Sequence, residues 1–128
     1  MTRTPLHAHA APEPVGPYSQ AVVAQGEPVY LSGQTPIDPA TGRLVDGDLA
    51  VQVRQVFANL EQVLAAGGLT FADVAKVNVF LVDMADFAAM NAVYATVFDA
   101  PYPARTTVAV AGLPLGARVE IELVALRA

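Results

Sequence analysis

Apolar residues recur along the middle of the chain with a helical rhythm. They fall at Leu49, Val53, Val56, Phe57, Leu60, Val63 and Leu64, the spacing of one stripe on a 3.6-residue helix. Asp48 stands before this run as an N-cap, and Gly67–Gly68 follows it as a C-cap. Gln52, Gln55, Asn59 and Gln62 fall on the other faces. Burying the seven apolar side chains contributes roughly 10–20 kcal/mol gross, before chain entropy is subtracted. A second stripe, Phe87, Met90, Tyr94 and Phe98, predicts a helix from Met84 to about Phe98, capped by Asp83.

Runs of β-favouring residues predict strands at Ala21–Gln25, Val29–Ser32, Val74–Val82, Arg105–Ala111 and Arg118–Leu126. GE (26–27) reads as a short turn between the first two, and GLPLG (112–116) joins the last two. DPATG (38–42) is turn chemistry, with Pro39 fixing φ and Gly42 free to take positive φ. The order β, β, helix, β, helix, β, β has no internal repeat and no strict βαβ alternation. It predicts an α+β fold, a single mixed β-sheet with two long helices on one face. One domain spans residues 1–128. Residues 1–15 show little periodicity and are expected as a loose arm, with GPYSQ (16–20) starting ordered structure. The strands carry apolar residues on both sides, so the second sheet face also needs a cover, which a partner subunit could supply.

Composition sharpens this picture. Of 128 residues, 54% are hydrophobic and 15% charged, an apolar excess for a small monomer that points to a buried subunit interface. The net charge is −5 and Lys and Arg form no cluster, so the electrostatic footprint of nucleic-acid binding is missing. The absence of cysteine excludes disulfides, thiolate catalysis and zinc–thiolate sites. Residues 1–10 hold no signal-like apolar core and no apolar run reaches spanning length, so a cytoplasmic protein without a membrane partner is expected. His7 and His9 are the only histidines and lie in the arm, so neither a Ser–His triad nor a metal site is expected. AAGG lacks the lysine of a phosphate loop, and DPATG has too few carboxylates for calcium.

Several residues could carry chemistry. In PYPARTTVAV (101–110), Arg105 opens a β run with no acidic residue nearby in sequence. It is either the solvated end of a strand or the anchor for an anion. In RVEIELVAL (118–126), alternation places Glu120 and Glu122 on one sheet face, which continues as Val124 and Leu126. They are either solvated or partnered, and a simple hairpin through GLPLG would set Arg105 opposite Glu120; non-adjacent strands would not. Asn91 lies between Phe87 and Tyr94 on a buried helix stripe, an amide that needs a partner. Tyr18, between Pro17 and Ser19, is an aromatic with a polar tip that can pack at the edge of a core. Ser32, Gly33 and Gln34 follow a strand, where Gly33 allows close backbone approach or simply a turn.

Taken together, GPYSQA (16–21), LSGQTPIDPATG (31–42), QVRQVFANLEQVLAAGG (52–68), VAKVNVFLVDMADFAAMNAVY (74–94), PARTTV (103–108) and GARVEIE (116–122) resemble the Rid family, also called YjgF-like proteins. The resemblance runs from about residue 10 to the end. It implies a fold like that of the AroH-type chorismate mutases and a homotrimer with a site in each cleft between subunits. It further implies an enamine/imine deaminase, a hydrolase that turns 2-aminoacrylate-type intermediates, 2-iminobutanoate or 2-iminopropanoate, into 2-keto acids and ammonia with no metal or cofactor. Arg105 stands at the arginine of the family's PAR motif and Glu120 at the glutamate that orients water. Tyr18, Ser32, Gly33, Asn91 and Thr107 match positions around the substrate cleft. Thr107 stands where many deaminase members carry cysteine. Other activities associated with the family leave alternatives open: a non-catalytic protein that binds a carboxylate metabolite, an endoribonuclease or a chaperone.

Overall fold

The computed structural model describes residues 3–128. Its centre is a four-stranded mixed sheet of β3 (Glu27–Gln34), β6 (Val74–Leu81), β7 (Ala104–Ala109) and β8 (Val119–Arg127), in the order β3-β8-β6-β7. Strand β8 runs antiparallel to both neighbours, and β7 lies parallel to β6. Two short ribbons flank the sheet. One pairs β1 (Thr4–Leu6) with β2 (Ala21–Val23), the other β4 (Ile37–Asp38) with β5 (Arg43–Leu44). Thus β2 pairs with β1 rather than turning through Gly26–Glu27 onto β3.

Both helices cover one face of the sheet. On that face Val77, Val79 and Leu81 of β6 and Val119, Ile121 and Leu123 of β8 are almost fully buried. Against them pack Val53, Val56, Leu60 and Leu64 of α1 (Leu49–Ala66) and Met90, Val93 and Tyr94 of α2 (Phe87–Val97). The Asp48 carboxylate accepts the Val51 N–H at 3.1 Å and opens α1 as expected. At the other end Gly68 takes φ +73° while the Leu69 N–H reaches back to the Leu64 carbonyl at 2.9 Å. Two α1 positions depart from the stripe. Val63 is exposed, whereas Gln52 is buried and its Oε1 accepts the Arg118 N–H at 3.3 Å. The second helix is the shorter, 11 residues, because Met84–Asp86 forms a 3₁₀ turn first, with the Asp83 carboxylate accepting the Ala85 N–H.

The amino-terminal arm, expected to be loose, is fastened down from residue 3 onward; residues 1 and 2 lie outside the described residues. The Arg3 guanidinium is buried and donates to the carbonyls of Phe71, Ala72, Val74, Asp99 and Pro101 at 2.8–3.1 Å. It thereby joins the turn before β6 to the proline-rich loop before β7. Further along, Ser19 donates its N–H to the Pro103 carbonyl (3.1 Å) and its hydroxyl to that of Tyr102 (2.5 Å).

Candidate active site

Register fixes where each candidate side chain points. Arg105 pairs with Val77 and Thr107 with Val79, both core-facing valines, so Arg105 and Thr107 lie on the helix-covered face. Glu120 pairs with Phe80 and Glu122 with Asn78, on the opposite face. The hairpin that would set Arg105 opposite Glu120 does not form. GLPLG instead carries the chain past β6, because β7 lies on the outer edge of β6 while β8 lies on its inner side. Within one chain the guanidinium and the carboxylate are therefore separated by the sheet itself, and of the two arrangements the sequence leaves open, the one with non-adjacent strands is found.

The Arg105 side of the sheet forms a half-buried recess. Its floor is β7, its wall is α2, and its rim is the turn at residues 16–19. The Tyr18 N–H donates to the Gly16 carbonyl at 2.9 Å, and the Tyr18 hydroxyl accepts the Val15 N–H at 3.2 Å, which turns the ring toward Arg105. The Arg105 Cζ stands 4.9 Å from that ring's centroid. Gly16 closes the recess tightly: a Cβ there would sit 3.2 Å from Arg105 Nη2 and 3.3 Å from Asn91 Nδ2. Among the described residues no carboxylate pairs with Arg105. Burial pulls its pKa below the ordinary arginine value, an effect that Tyr94 and Tyr18 oppose.

Among the described residues, four buried side-chain polar atoms have no hydrogen-bond partner: Asn91 Oδ1, Tyr94 Oη, Arg105 Nη1 and Thr107 Oγ1. All four belong to residues of the β7–α2 layer around the guanidinium. Buried polar atoms are ordinarily satisfied, because each orphan carries its full desolvation penalty. Four together, with donors and acceptors of both kinds, make a polar cluster around Arg105 that its own chain leaves unsatisfied. Burial drives the Tyr94 phenol pKa upward, so it stays protonated and can donate.

The second cluster lies on the far face. A bulge in β3 between Leu31 and Gln34 places two residues, Ser32 and Gly33, opposite Glu122 alone. This brings Gly33 under the Glu120 side chain, so close that a Cβ there would meet the carboxylate at 2.7 Å. The two glutamates separate in role. Glu122 accepts from Asn78 Nδ2 at 3.3 Å, while Glu120, half-buried, has no hydrogen bond among the described residues. Ser32 is exposed beside it. Of the seven candidates, Tyr18, Asn91, Arg105 and Thr107 share one cluster, and Ser32, Gly33 and Glu120 share the other.

Phe87 and Tyr94 read from the sequence as core residues and belong to the core, while Gly16 carries no sequence signal of its own. The spacing of Phe87, Asn91 and Tyr94, four and three residues apart, was the available signal, since it puts rings and amide on one helix face. No helix among the described residues is long and apolar enough to cross a membrane.

Comparison with known proteins identifies the family of the chain. A profile of the family described as endoribonuclease L-PSP matches residues 8–127. A protein of Dermatophagoides farinae named 2-iminobutanoate/2-iminopropanoate deaminase is 48% identical over 119 residues, 93% of this chain and 89% of the relative. Protein DfrA of Myxococcus xanthus is 48% identical over 126 residues, 98% of this chain and 96% of the relative. The crystal structure of RidA from an Antarctic Psychrobacter superposes with a TM-score of 0.76 at 44% identity, over 98% of this chain and 100% of that one. With its mixed sheet, its helices and almost its whole length accounted for, the chain belongs to the endoribonuclease L-PSP family, that of the YjgF and RidA proteins.

Proposed function

We propose that the protein is a 2-iminobutanoate/2-iminopropanoate deaminase that works without cofactor and is completed between copies of the chain. The observation that carries this is Arg105: a half-buried guanidinium, unpaired by any carboxylate among the described residues, amid orphaned polar atoms. Such a group is shaped to receive a small carboxylate through two charge-assisted hydrogen bonds, each contributing about 1.5–3 kcal/mol. The relatives named as deaminases supply the reaction class.

A 2-imino acid bound by Arg105 presents a protonated imine carbon that is already electrophilic. Glu120, which accepts no hydrogen bond among the described residues, takes a proton from a water as that water attacks the carbon. The same carboxyl then returns that proton to nitrogen; as the C–N bond breaks, the hydroxyl oxygen forms the new C=O and gives its proton to the carboxylate, which passes it to the departing ammonia, so that the products are ammonium and the 2-keto acid. Asn91, Tyr94 and Thr107 offer hydrogen bonds to the substrate's polar atoms, and Tyr18 walls the recess. Threonine in place of the common cysteine leaves backbone contacts intact and removes a thiol open to oxidation.

Because Arg105 and Glu120 lie on opposite faces of one sheet, the Glu120 that serves a given Arg105 belongs to a second copy. A closed ring of three, each subunit offering its β7 side to the Glu120 side of the next, satisfies this geometry. Tyr30 (78% exposed) and Val108 (41% exposed) lie on the uncovered sheet face that such a ring would bury. RNA cleavage is disfavoured by the net charge of −5 and the lack of a basic cluster.

The test is ammonia and keto-acid release from enzymatically generated 2-aminoacrylate, wild type against Arg105→Ala. Turnover in the wild type alone is expected. Wild-type release no faster than spontaneous hydrolysis would reject the assignment.

A further inference from the structure

Three aromatic rings surround the Arg105 guanidinium. Its Cζ lies 4.8 Å from the ring centroid of Tyr94, 4.9 Å from Tyr18 and 5.6 Å from Phe87. Phe87 and Tyr94 stand two helical turns apart on α2, and Tyr18 comes from the turn at residues 16–19. Other arginines of the chain are held differently. Arg118 grips both oxygens of Asp86 at 3.0 and 3.2 Å, Arg127 pairs with Glu27, and Arg3 spends its donors on five carbonyls. In each of these, N–H groups are occupied by the contacts that fix the side chain.

Ring faces hold a cation in another way. Their negative quadrupole attracts the charge as a whole and needs no N–H···O bond to do so. The fork of N–H donors is what carboxylate recognition uses. A guanidinium seated on rings therefore keeps donors available. Nη1 of Arg105, buried and without a partner, is in this condition.

We propose that Phe87 and Tyr94, together with Tyr18, hold the Arg105 charge in place of a counter-ion and leave its donors free for a substrate carboxylate. Phe87 is thereby a positioning residue, acting through Arg105, and the ring of Tyr94 adds this role to the hydrogen bond that its hydroxyl offers. This role in binding a 2-oxo or 2-imino acid rests on the proposed deaminase function, but the seating of the guanidinium does not.

Two measurements test it, both on the full-length protein. The first is the NMR signal of the Arg105 Hε in the ligand-free protein, assigned by its absence in Arg105→Lys. The second is the dissociation constant for 2-oxobutanoate by calorimetry. Phe87→Leu keeps apolar bulk and removes the ring. It is expected to shift the Hε signal and to weaken 2-oxobutanoate about two- to fivefold, the range that one partly exposed cation–ring contact supports. Phe87→Tyr, which restores a ring, is expected to restore both. Tyr18→Leu, in a surface turn, repeats the comparison should Phe87→Leu fold poorly. An Hε signal unmoved in both leucine variants would overturn the seating, whatever the protein binds. A moved signal with unchanged affinity would overturn the positioning role. Failure of the wild type to bind 2-oxobutanoate would count against the deaminase assignment and the positioning role, while the NMR comparison still decides the seating.

Discussion

Gly33 and Glu120 touch so closely that no methyl group fits between them: a Cβ on Gly33 would lie 2.7 Å from a Glu120 carboxylate oxygen. The atom in the way is the far end of a flexible side chain. Gly33→Ala is therefore expected to fold normally and to push the carboxylate aside. If Glu120 delivers water, a displacement of about 1 Å can lower kcat by as much as about 10²-fold. Thermal unfolding should shift by less than a few degrees. A steady-state assay beside a melting curve checks the split, and undiminished turnover in Gly33→Ala would remove Glu120 from the mechanism.

Arg105→Lys keeps the charge and loses the planar fork. An ammonium makes a single-point contact with a carboxylate and is more strongly hydrated. Loss of one charge-assisted bond of about 1.5–3 kcal/mol predicts roughly ten- to a hundredfold weaker 2-keto acid binding. Calorimetry with 2-oxobutanoate measures it, and equal affinity would mean that Arg105 serves only as a diffuse positive charge.

The opposite-face placement of Arg105 and Glu120 makes a prediction about mixtures. Arg105→Ala and Glu120→Gln are each expected to be inactive. Unfolded together and refolded as one population, they should recover activity, with about a quarter of sites receiving both intact residues by random assortment in a ring. Ammonia release before and after mixing tests this. No recovery in well-formed mixed oligomers would place both residues of a working site in one chain.

Arg3 donates to five carbonyls of two loops, and its removal leaves buried acceptors unsatisfied. Arg3→Ala is expected to lower stability by about 2–4 kcal/mol, read as a drop in the denaturation midpoint at unchanged slope. A change below about 0.5 kcal/mol would show that water replaces the guanidinium without loss.

Much of the fold is legible in the sequence, because it is written in local patterns. The α1 stripe, its Asp48 cap and its glycine stop require only neighbours a turn apart, and β8 requires only alternation. What depends on distant partners is not legible in that way. Gln52 looks like a surface residue until the backbone just before β8 arrives with the Arg118 N–H for it to accept. Arg3 sits in a stretch with no periodicity, and its acceptors are carbonyls, which every residue carries. Strand adjacency was the largest gap: a short loop suggests a hairpin, yet β7 is claimed by parallel pairing through the α2 crossover. The site residues came mainly through the family resemblance. Their physical grouping, a guanidinium on one face and a carboxylate on the other, each without an ion pair among the described residues, emerges only from the register.

Strand β8 follows every other strand in sequence yet lies between β3 and β6 in space. Until it arrives, β3 has no neighbour in the sheet and β6 is paired on one side only. During synthesis on the ribosome, the nascent chain must therefore emerge through its final strand before the sheet can close, with the apolar stripes of both helices waiting exposed. That makes closure of the sheet a long-range event, vulnerable to aggregation in the interval before residues 119–127 find both their neighbours.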